Sequence, residues 1–574
     1  MGTERQWILK EAADGQTVSR LATELGIDPV LAELLVQRNI RSFEEARAFF
    51  RPKLEDLHDP FLMKDMDKAV DRLTKAVQSG EKILIYGDYD VDGTTAVALM
   101  YSFLLNHTRN IDYYIPDRYN EGYGVSFRGI DWAEKNGFSL IITLDCGIKA
   151  SDKVLYASSK GIDMIICDHH LPEDGLPQAT AVLDPKREDD SYPFDDLSGC
   201  GVGFKLAQGY ALRHGIPFEE LESQLDILAL SIAADLVSVV GENRILAYYG
   251  LKRLNTNPRV GLTSMINITK LDPCHISFDD IVFKIGPRLN AAGRMESGEL
   301  SVKLLIATSQ QEAEKVANEI NRHNTERKNI DHEITEQGLS MVREGKALSS
   351  ANITIVYNPN WHKGVVGIVA SRLVETYFKP AIVLTQSNGL ITGSARSAGG
   401  FDLYTAIESC SELLENFGGH LFAAGLTLRE EKLKDFVDKM EQAIEGKFQM
   451  QSLTPAMEID AKLEFDQITP KFVRILKQFQ PFGPGNSAPV FASENVYDDG
   501  NCRKVGADGS HLKLELMQGH VRFSAIGFGQ SAHFDYIKES NPIDCCYSIV
   551  ENYFRGMANI QLRIKDIHEK DDIF

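Results

Sequence analysis

The segment Gly87-Asp88-Tyr89-Asp90-Val91-Asp92-Gly93-Thr94-Thr95 constrains this chain more than any other. It follows the apolar run Lys82 to Tyr86 and precedes a helical pattern that starts near Ala96, which predicts a loop joining a strand to a helix. Three carboxylates at alternate positions of one short loop repel one another unless a compensating charge is present, and a divalent cation supplies it. The D-x-D-x-D-G opening mimics a calcium loop. Its twelfth position is Leu99 instead of a bidentate Glu, however, and a strand stands where the entering helix of an EF-hand belongs. Catalytic metal chemistry and a solvated acidic turn remain as readings of the loop taken alone.

Two further clusters occupy the same topological position. Asp145 ends the run Leu140 to Leu144 and is followed by Cys146-Gly147, while Asp168-His169-His170 ends the run Met164 to Cys167. In an open parallel sheet, ligands gather at the carboxyl ends of the strands, so the three loops are expected to converge on one crevice. A fourth candidate is Asp235, at the end of the otherwise apolar Ser231-Ile232-Ala233-Ala234, with a buried salt bridge or a helix cap as its alternative roles. Carboxylates with one or two imidazoles form an oxygen-dominated set that suits Mn²⁺ or Mg²⁺ better than zinc. Two such ions, about 3.5 to 4 Å apart, activate a water and stabilise both oxygens of an in-line displacement at phosphorus, which makes phosphoester hydrolysis the leading reaction class.

The rest of the chain is organised around this core. Its 574 residues suggest three or four domains, and 43% apolar with 25% charged residues is ordinary globular composition. A net charge of −21 and a pI near 5.2 exclude a generic basic nucleic-acid coat but not a local basic groove. Eight cysteines without a C-x-x-C pair argue against a zinc knuckle and for a reducing compartment, and no apolar stretch is long enough to span a bilayer, so a cytoplasmic protein with no membrane association is expected. Residues 1–80 read as a helical segment, with Leu31, Leu34, Leu35 and Val36 in one amphipathic run and Phe43, Ala46, Phe49 and Phe50 in the next. Strand and helix patterns alternate over 81–305, a parallel-sheet α/β domain. The span 306–346 contains a long, largely solvated helix from Gln311 to Arg343. A smaller α/β unit follows over 347–447, then short strand-like runs over 448–574 that fit a small β-barrel of the OB type.

The smaller α/β unit supplies anion-binding parts. Gly393-Ser394-Ala395-Arg396-Ser397 and Phe417-Gly418-Gly419-His420 read as glycine turns, in which small residues let backbone N–H groups approach a phosphate and Arg and His act as donors. Arg118, and the run Arg288-Leu289-Asn290-Ala291-Ala292-Gly293-Arg294, add cations and an amide to the same crevice if the two α/β units face each other, with surface salt bridges as the alternative.

The ordered set GDYDVDG, LDCG, DHH, ALSIAADL, GPRLNAAGRM, WHKGVVGIVASRL, GSARS and FGGH resembles the DHH phosphoesterases that carry a C-terminal DHH-associated (DHHA1) domain, and within them the bacterial single-stranded-DNA exonucleases. The later PFGPGN, HLKL and IQLRIKDI stretches carry the resemblance into the barrel. It implies a 5′-to-3′ exonuclease of DNA repair and recombination that releases 5′-mononucleotides with Mn²⁺ or Mg²⁺. Carried onto this chain, Asp92, Asp145, His169 and Asp235 would hold one ion, and Asp88 and Asp90 would serve the second ion or the nucleophilic water. Asp92 or Asp145 would bridge the two. His170 would contact the scissile phosphate, and Arg118, Arg288, Ser394 and Arg396, supported by Asn290, Arg294, Gly418, Gly419 and His420, would hold the 5′-terminal phosphate or the backbone behind it. Single-stranded DNA is the implied partner, with a single-stranded-DNA-binding protein and a RecQ-type helicase as protein partners. Asp184-Pro185 departs from the Asn-Pro of many relatives and touches no expected metal position.

Dinucleotide phosphodiesterases and polyphosphatases of similar fold would not need a segment of more than a hundred residues beyond the second unit. A scaffold subunit of the replicative helicase would have eroded ligands, whereas every expected ligand is present. Within the barrel, Phe482, Phe523, Phe528, Phe534, Tyr536, Tyr553 and Phe554 accompany Lys504, Lys513, Arg522 and Arg555. A small barrel must be filled, so only a minority of these rings is expected to stack on bases.

Overall fold

A computed structural model describes residues 5–173, 175–348, 352–445, 456–554 and 557–570. Two compact units divide the chain: Met1–His58, Leu236–Tyr248 and Thr454–Phe574 form one, Asp59–Asp235 and Tyr249–Leu453 the other. The expected boundaries at 447 and 448 lie outside the described residues.

The opening segment differs from the all-helical expectation in two ways. Residues Gln6–Leu9 form a strand, β1, paired in parallel with a strand at Ala456–Ile459. The helices that follow, with Leu31, Leu34 and Leu35 fully buried, share one hydrophobic core with the C-terminal barrel. Up to His58 the segment therefore belongs to the barrel's unit.

The catalytic candidates sit on a five-stranded parallel sheet of β2 (Ile83–Gly87), β3 (Ile111–Tyr114), β4 (Leu140–Leu144), β5 (Asp163–Cys167) and β6 (Ala181–Leu183), in the order β3-β2-β4-β5-β6. Every residue of β2 and β4 is buried, as expected for short apolar runs covered on both faces. The chain passes from β2 outward to β3 and then returns to the far side of β2 as β4, so the order reverses between β2 and β4. Loops leaving these two strands splay apart and open a crevice there.

The connecting helix runs over Gln310–Arg343, capped by the Ser309 hydroxyl, which accepts the Glu312 N–H. It is less solvated than its composition suggests, because Ala313, Val316, Ala317, Ile320 and Ile334 form a buried stripe. Beyond it lies a sheet of β7 (Thr354–Tyr357), β8 (Ala381–Ser387), β9 (Leu390–Arg396), β10 (Asn416–His420) and β11 (Ala423–Leu428), in the order β10-β11-β9-β8-β7. Only β7 and β8 are parallel. The two glycine-containing runs expected as turns thus lie on strands, Gly393 to Arg396 in β9 and Phe417 to His420 in β10. Their small residues serve packing: a Cβ on Gly393 would meet Leu384 Cδ2 at 2.3 Å, and one on Gly419, whose φ is +150°, would meet the Ala423 carbonyl at 2.3 Å.

The C-terminal strands are β12 (Ala456–Ile459), β13 (Ala461–Lys462), β14 (Phe491–Asp498), β15 (Arg503–Val505), β16 (His511–Gln518), β17 (Val521–Gly527), β18 (Ile543–Phe554) and β19 (Met557–Glu569). Pairings β14-β18-β19-β17-β16 continue through Tyr497–Met517 and Asp498–Leu516 back to β14, which closes a five-stranded barrel. Phe482, Phe523, Phe534 and Tyr536 pack against its core, whereas Phe528 is 53% exposed. The side chains of Tyr553 and Phe554, and Arg555 altogether, lie outside the described residues. No described helix is long and apolar enough to cross a membrane.

Candidate metal centre and substrate crevice

The strand-to-helix loop after β2 places its carboxylates by local hydrogen bonding. Asp90 is the N-cap of the helix Val91–Leu104 and accepts the Gly93 N–H at 3.0 Å. Asp88 accepts the Gly124 N–H at 3.2 Å through one oxygen, while its other oxygen is buried without a hydrogen bond. Asp92 faces the opening turn of the helix Gly199–His214. The Gly199 N–H donates to Oδ2 at 2.6 Å, and the Cys200 N–H and Ser231 hydroxyl donate to Oδ1 at 2.9 and 2.6 Å. The amides at a helix N-terminus are natural carboxylate holders.

The other ligand candidates meet Asp92 at the imidazole of His169. Its Nε2 lies 3.3 Å from Asp145 Oδ1, 3.5 Å from Asp235 Oδ2 and 3.8 Å from Asp92 Oδ2. His169 is 6% exposed, and its Nδ1 has no hydrogen-bond partner. Asp145 adopts a left-handed φ of 59°, tolerated by Asp better than by most side chains, with its N–H donating to the Cys167 carbonyl. Asp235 occupies the C-cap position of the helix Leu225–Ala234, its N–H donating to the Ser231 carbonyl, so the cap position considered from sequence and the candidate ligand are one residue.

Burial, reinforced by neighbouring carboxylates, raises the pKa of Asp88, Asp90 and Asp145, and pushes Asp235 up to about 9. Burial likewise lowers His169, against the pull of Asp92, so a neutral imidazole stands among acids. Orphaned acceptors, elevated carboxylates and a neutral imidazole are what a divalent ion satisfies, and an oxygen-rich set with one imidazole fits Mn²⁺ or Mg²⁺.

Asp168 has another role. Its Oδ1 accepts the His169 and His170 N–H groups and lies 2.7 Å from His170 Nδ1, and its Oδ2 accepts the Ile148 N–H at 2.9 Å. Burial would raise its pKa, but the His170 hydrogen bond and charge hold it below the usual value. His170 is raised in turn: burial opposes its charge, and Asp168 outweighs burial. The Tyr123 hydroxyl donates to the Asp145 carbonyl at 2.9 Å, so at 3.3 Å from His170 Nε2 it acts as acceptor.

Facing these acids is a group of cations. Burial and the like charges of Arg118, Arg327 and Arg396 push Arg294 down to about 10, and burial with Arg118 lowers Arg396, His362 and Lys363 as well. Burial, Arg396 and His170 lower His420, which brings β10 to the same crevice. Arg118 lies over the Tyr89 ring at 4.8 Å. Arg396 donates to Ser394 Oγ at 2.7 Å beside Gly367, where a Cβ would come within 2.8 Å of the guanidinium.

Other sequence candidates are placed differently. Asn290 accepts the Val91 N–H at 3.1 Å and so positions the acidic loop. Arg288 donates to Asn321 on the connecting helix and to the Lys284 carbonyl, and Gly418 is exposed, with nothing among the described residues within 4 Å of where a Cβ would stand. Asp184 is fully buried, and burial with Asp168 pushes it up to about 7. Sequence reasoning missed Tyr123, Ser231, His362 and Lys363 as parts of the site. The Trp-His-Lys-Gly run ahead of a helix was a usable signal for the last two, and nothing local marked Tyr123.

These loops and their cations define a DHH-type phosphoesterase. The family model for the DHH N-terminal domain matches residues 82–232, that for the DHHA1 domain residues 350–446, and that for the RecJ OB domain residues 459–566. The single-stranded-DNA-specific exonuclease RecJ of Bacillus subtilis is 37% identical over 99% of this chain and 71% of its own length, and that of Escherichia coli 31% over 94% and 96%. This chain belongs to the RecJ family. Among solved structures, RecJ from Thermus thermophilus in complex with Mn²⁺ shares the fold over all of this chain and 80% of its own, with a TM-score of 0.84 and 24% identity. An exonuclease RecJ bound to manganese matches 68% of this chain and 96% of its own at 28% identity and a TM-score of 0.59.

Proposed function

We propose that this chain is a metal-dependent exonuclease that hydrolyses single-stranded DNA from its 5′ end to 5′-mononucleotides, in DNA repair and recombination. One observation carries the reading: His169 with three carboxylates, and Asp88 and Asp90 beside them, faces a cluster of arginines within one unit. Asp92, Asp145, His169 and Asp235 would hold one Mn²⁺ or Mg²⁺ ion, with Asp90 and Asp88 toward the second. Bound there, such ions would lower the pKa of water and stabilise charge on the phosphoryl oxygens. Asp168 raises the pKa of His170 and aims its ring by a 2.7 Å contact, so in its protonated form it would neutralise the scissile phosphate. Arg118, Arg294 and Arg396, with Ser394 and the opening turn of the helix Val366–Tyr377, would take the 5′ phosphate, and His420 would reach the next phosphodiester.

Single-stranded DNA is the substrate in this reading, and within the barrel's own unit Phe528 would stack on a base. His511 lies 5.2 Å and Arg563 5.9 Å from its exposed ring. The reaction belongs to the cytoplasm, where a RecQ-type helicase would supply single strands and a single-stranded-DNA-binding protein would cover them. Co-purification with each of these tests that placement. The direct experiment uses single-stranded oligonucleotides labelled at either end, with Mn²⁺ and with chelator. Immediate release of a labelled mononucleotide from the 5′ label alone supports the reading. Internal cleavage, or equal digestion of duplex, contradicts it.

A further inference from the structure

The connecting helix carries a second ligand constellation away from the acidic loops. Glu319 and His323 lie four residues apart on one face of it, and Glu296 ends the helix Gly286–Met295 that packs against it. The three bring two carboxylate oxygens and an imidazole nitrogen within 4.8 Å of one another. His323 is 6% exposed, and among the described residues neither ring nitrogen finds a hydrogen bond. Glu296 Oε2 nonetheless stands 2.8 Å from His323 Nε2, a close approach off the direction a hydrogen bond needs. Around a first-row ion with bonds of about 2.1 Å, neighbouring ligand atoms stand about 3 Å apart, so this pair is already at ligand spacing. The other charged groups here are Glu326, whose Oε2 is 3.9 Å from His323 Nδ1, and Arg322, 3.8 Å from Glu319. A buried imidazole whose nitrogens make no hydrogen bond is costly, and an ion between it and two carboxylates removes that cost.

We propose that Glu296, Glu319 and His323 form a second divalent-metal site, separate from the catalytic centre, that takes a zinc-type ion. Three protein ligands, one of them an imidazole, suit four-coordinate Zn²⁺, which lies above Mn²⁺ in intrinsic affinity, whereas the larger carboxylate set of the catalytic centre suits Mn²⁺ or Mg²⁺. The ion ties the end of the helix Gly286–Met295 to the connecting helix. The helix Gly286–Met295 holds the acidic loop through Asn290 on the Val91 N–H and Gly293 against the Tyr89 carbonyl, and it reaches the Trp-His-Lys-Gly run through Arg294 on the Gly364 carbonyl. The site is thus a brace for the acidic loop and the crevice, outside the chemistry itself.

The test uses the full chain, stripped with chelator, given excess Mg²⁺ to occupy the carboxylate-rich centre, and titrated with Zn²⁺. Crystals soaked in the same mixture are measured at the zinc absorption edge. The proposal expects an anomalous peak between His323 Nε2 and the two carboxylates that survives Asp145→Asn and vanishes in His323→Ala. Changes around a ligand alone alter metal affinity by about 10- to 100-fold, so loss of a direct ligand weakens this Zn²⁺ step by at least about 100-fold. Glu319→Gln, at a side chain 35% exposed, guards against a folding defect and should also lose the step. Unchanged zinc binding in both variants, or no peak at the cluster, overturns the proposal.

Discussion

Gly199→Ala isolates the geometry of the metal centre without touching a ligand. A Cβ at this position would lie 2.5 Å from Asp145 Cβ, 2.6 Å from its Oδ1 and 2.7 Å from its Cα. Carbon atoms pack at about 3.5 Å or more, so Asp145 or the helix Gly199–His214 must move by about 1 Å. Asp145 has little room to yield, because its left-handed backbone is tied to Cys167, and moving the helix drags the Gly199 and Cys200 amides away from Asp92. The stability cost should be about 1–3 kcal/mol, in the range of core overpacking. Activity should fall by about 100-fold, the effect of a displacement of about 1 Å in a reacting constellation. The assay is mononucleotide release from a single-stranded oligonucleotide at several Mn²⁺ concentrations, with the melting temperature measured alongside. Gly201→Ala is the matched control, since its Cβ would meet Leu197 and Ser198 at an ordinary 3.4 Å. Activity of Gly199→Ala within threefold of Gly201→Ala would refute the claim that Asp145 and Asp92 are held in register by this contact.

Three further outcomes follow from the same geometry. Arg396→Ala should cost about 1–3 kcal/mol of binding to 5′-phosphorylated single strands and little with 5′-hydroxyl ends; equal losses for both would move 5′ recognition elsewhere. Phe528→Ala should weaken long single strands by about 1–3 kcal/mol and leave very short ones unchanged, read by fluorescence anisotropy at fixed salt. Without metal, the elevated carboxyls make the folded state bind protons more tightly than the unfolded chain. Stability should therefore fall as pH rises from the ordinary 3.8 toward the value of about 9 for Asp235, and Mn²⁺ should abolish that fall. A metal-free melting temperature that is flat over this window would count against the buried acidic cluster.

Much of the site was legible because its chemistry is local to strand ends. Each of β2, β4 and β5 is a short apolar run that stops at an acid, and a parallel sheet forces such ends to one edge. Asp235 needed the fold, since a lone acid in an apolar helix reads equally well as a cap, and it stands at the C-cap position while its carboxylate faces His169. The role of Asp168 was hidden because nothing in a tripeptide says which way its carboxylate turns; here it faces the backbone of its own loop. The runs around Gly393 and Gly418 read as turns by composition, but pairing with neighbouring strands outweighed that local preference. The pairing of Gln6–Leu9 with Ala456–Ile459 was out of reach, because four residues carry too little pattern to announce a partner so distant in sequence.

Hydrolysis by this chain should depend on one divalent-ion centre built from Asp92, Asp145, His169 and Asp235. The most direct measurement counts Mn²⁺ bound per chain in wild type, Asp145→Asn and His169→Ala, with turnover and metal-free melting temperature recorded on the same samples. Asn suits the left-handed backbone at 145 and removes a carboxylate that is buried against like charges. The account predicts that both variants fold, that Asp145→Asn melts no lower than wild type without metal, and that both lose bound Mn²⁺ together with hydrolysis. Wild-type Mn²⁺ binding and turnover in either variant would contradict it.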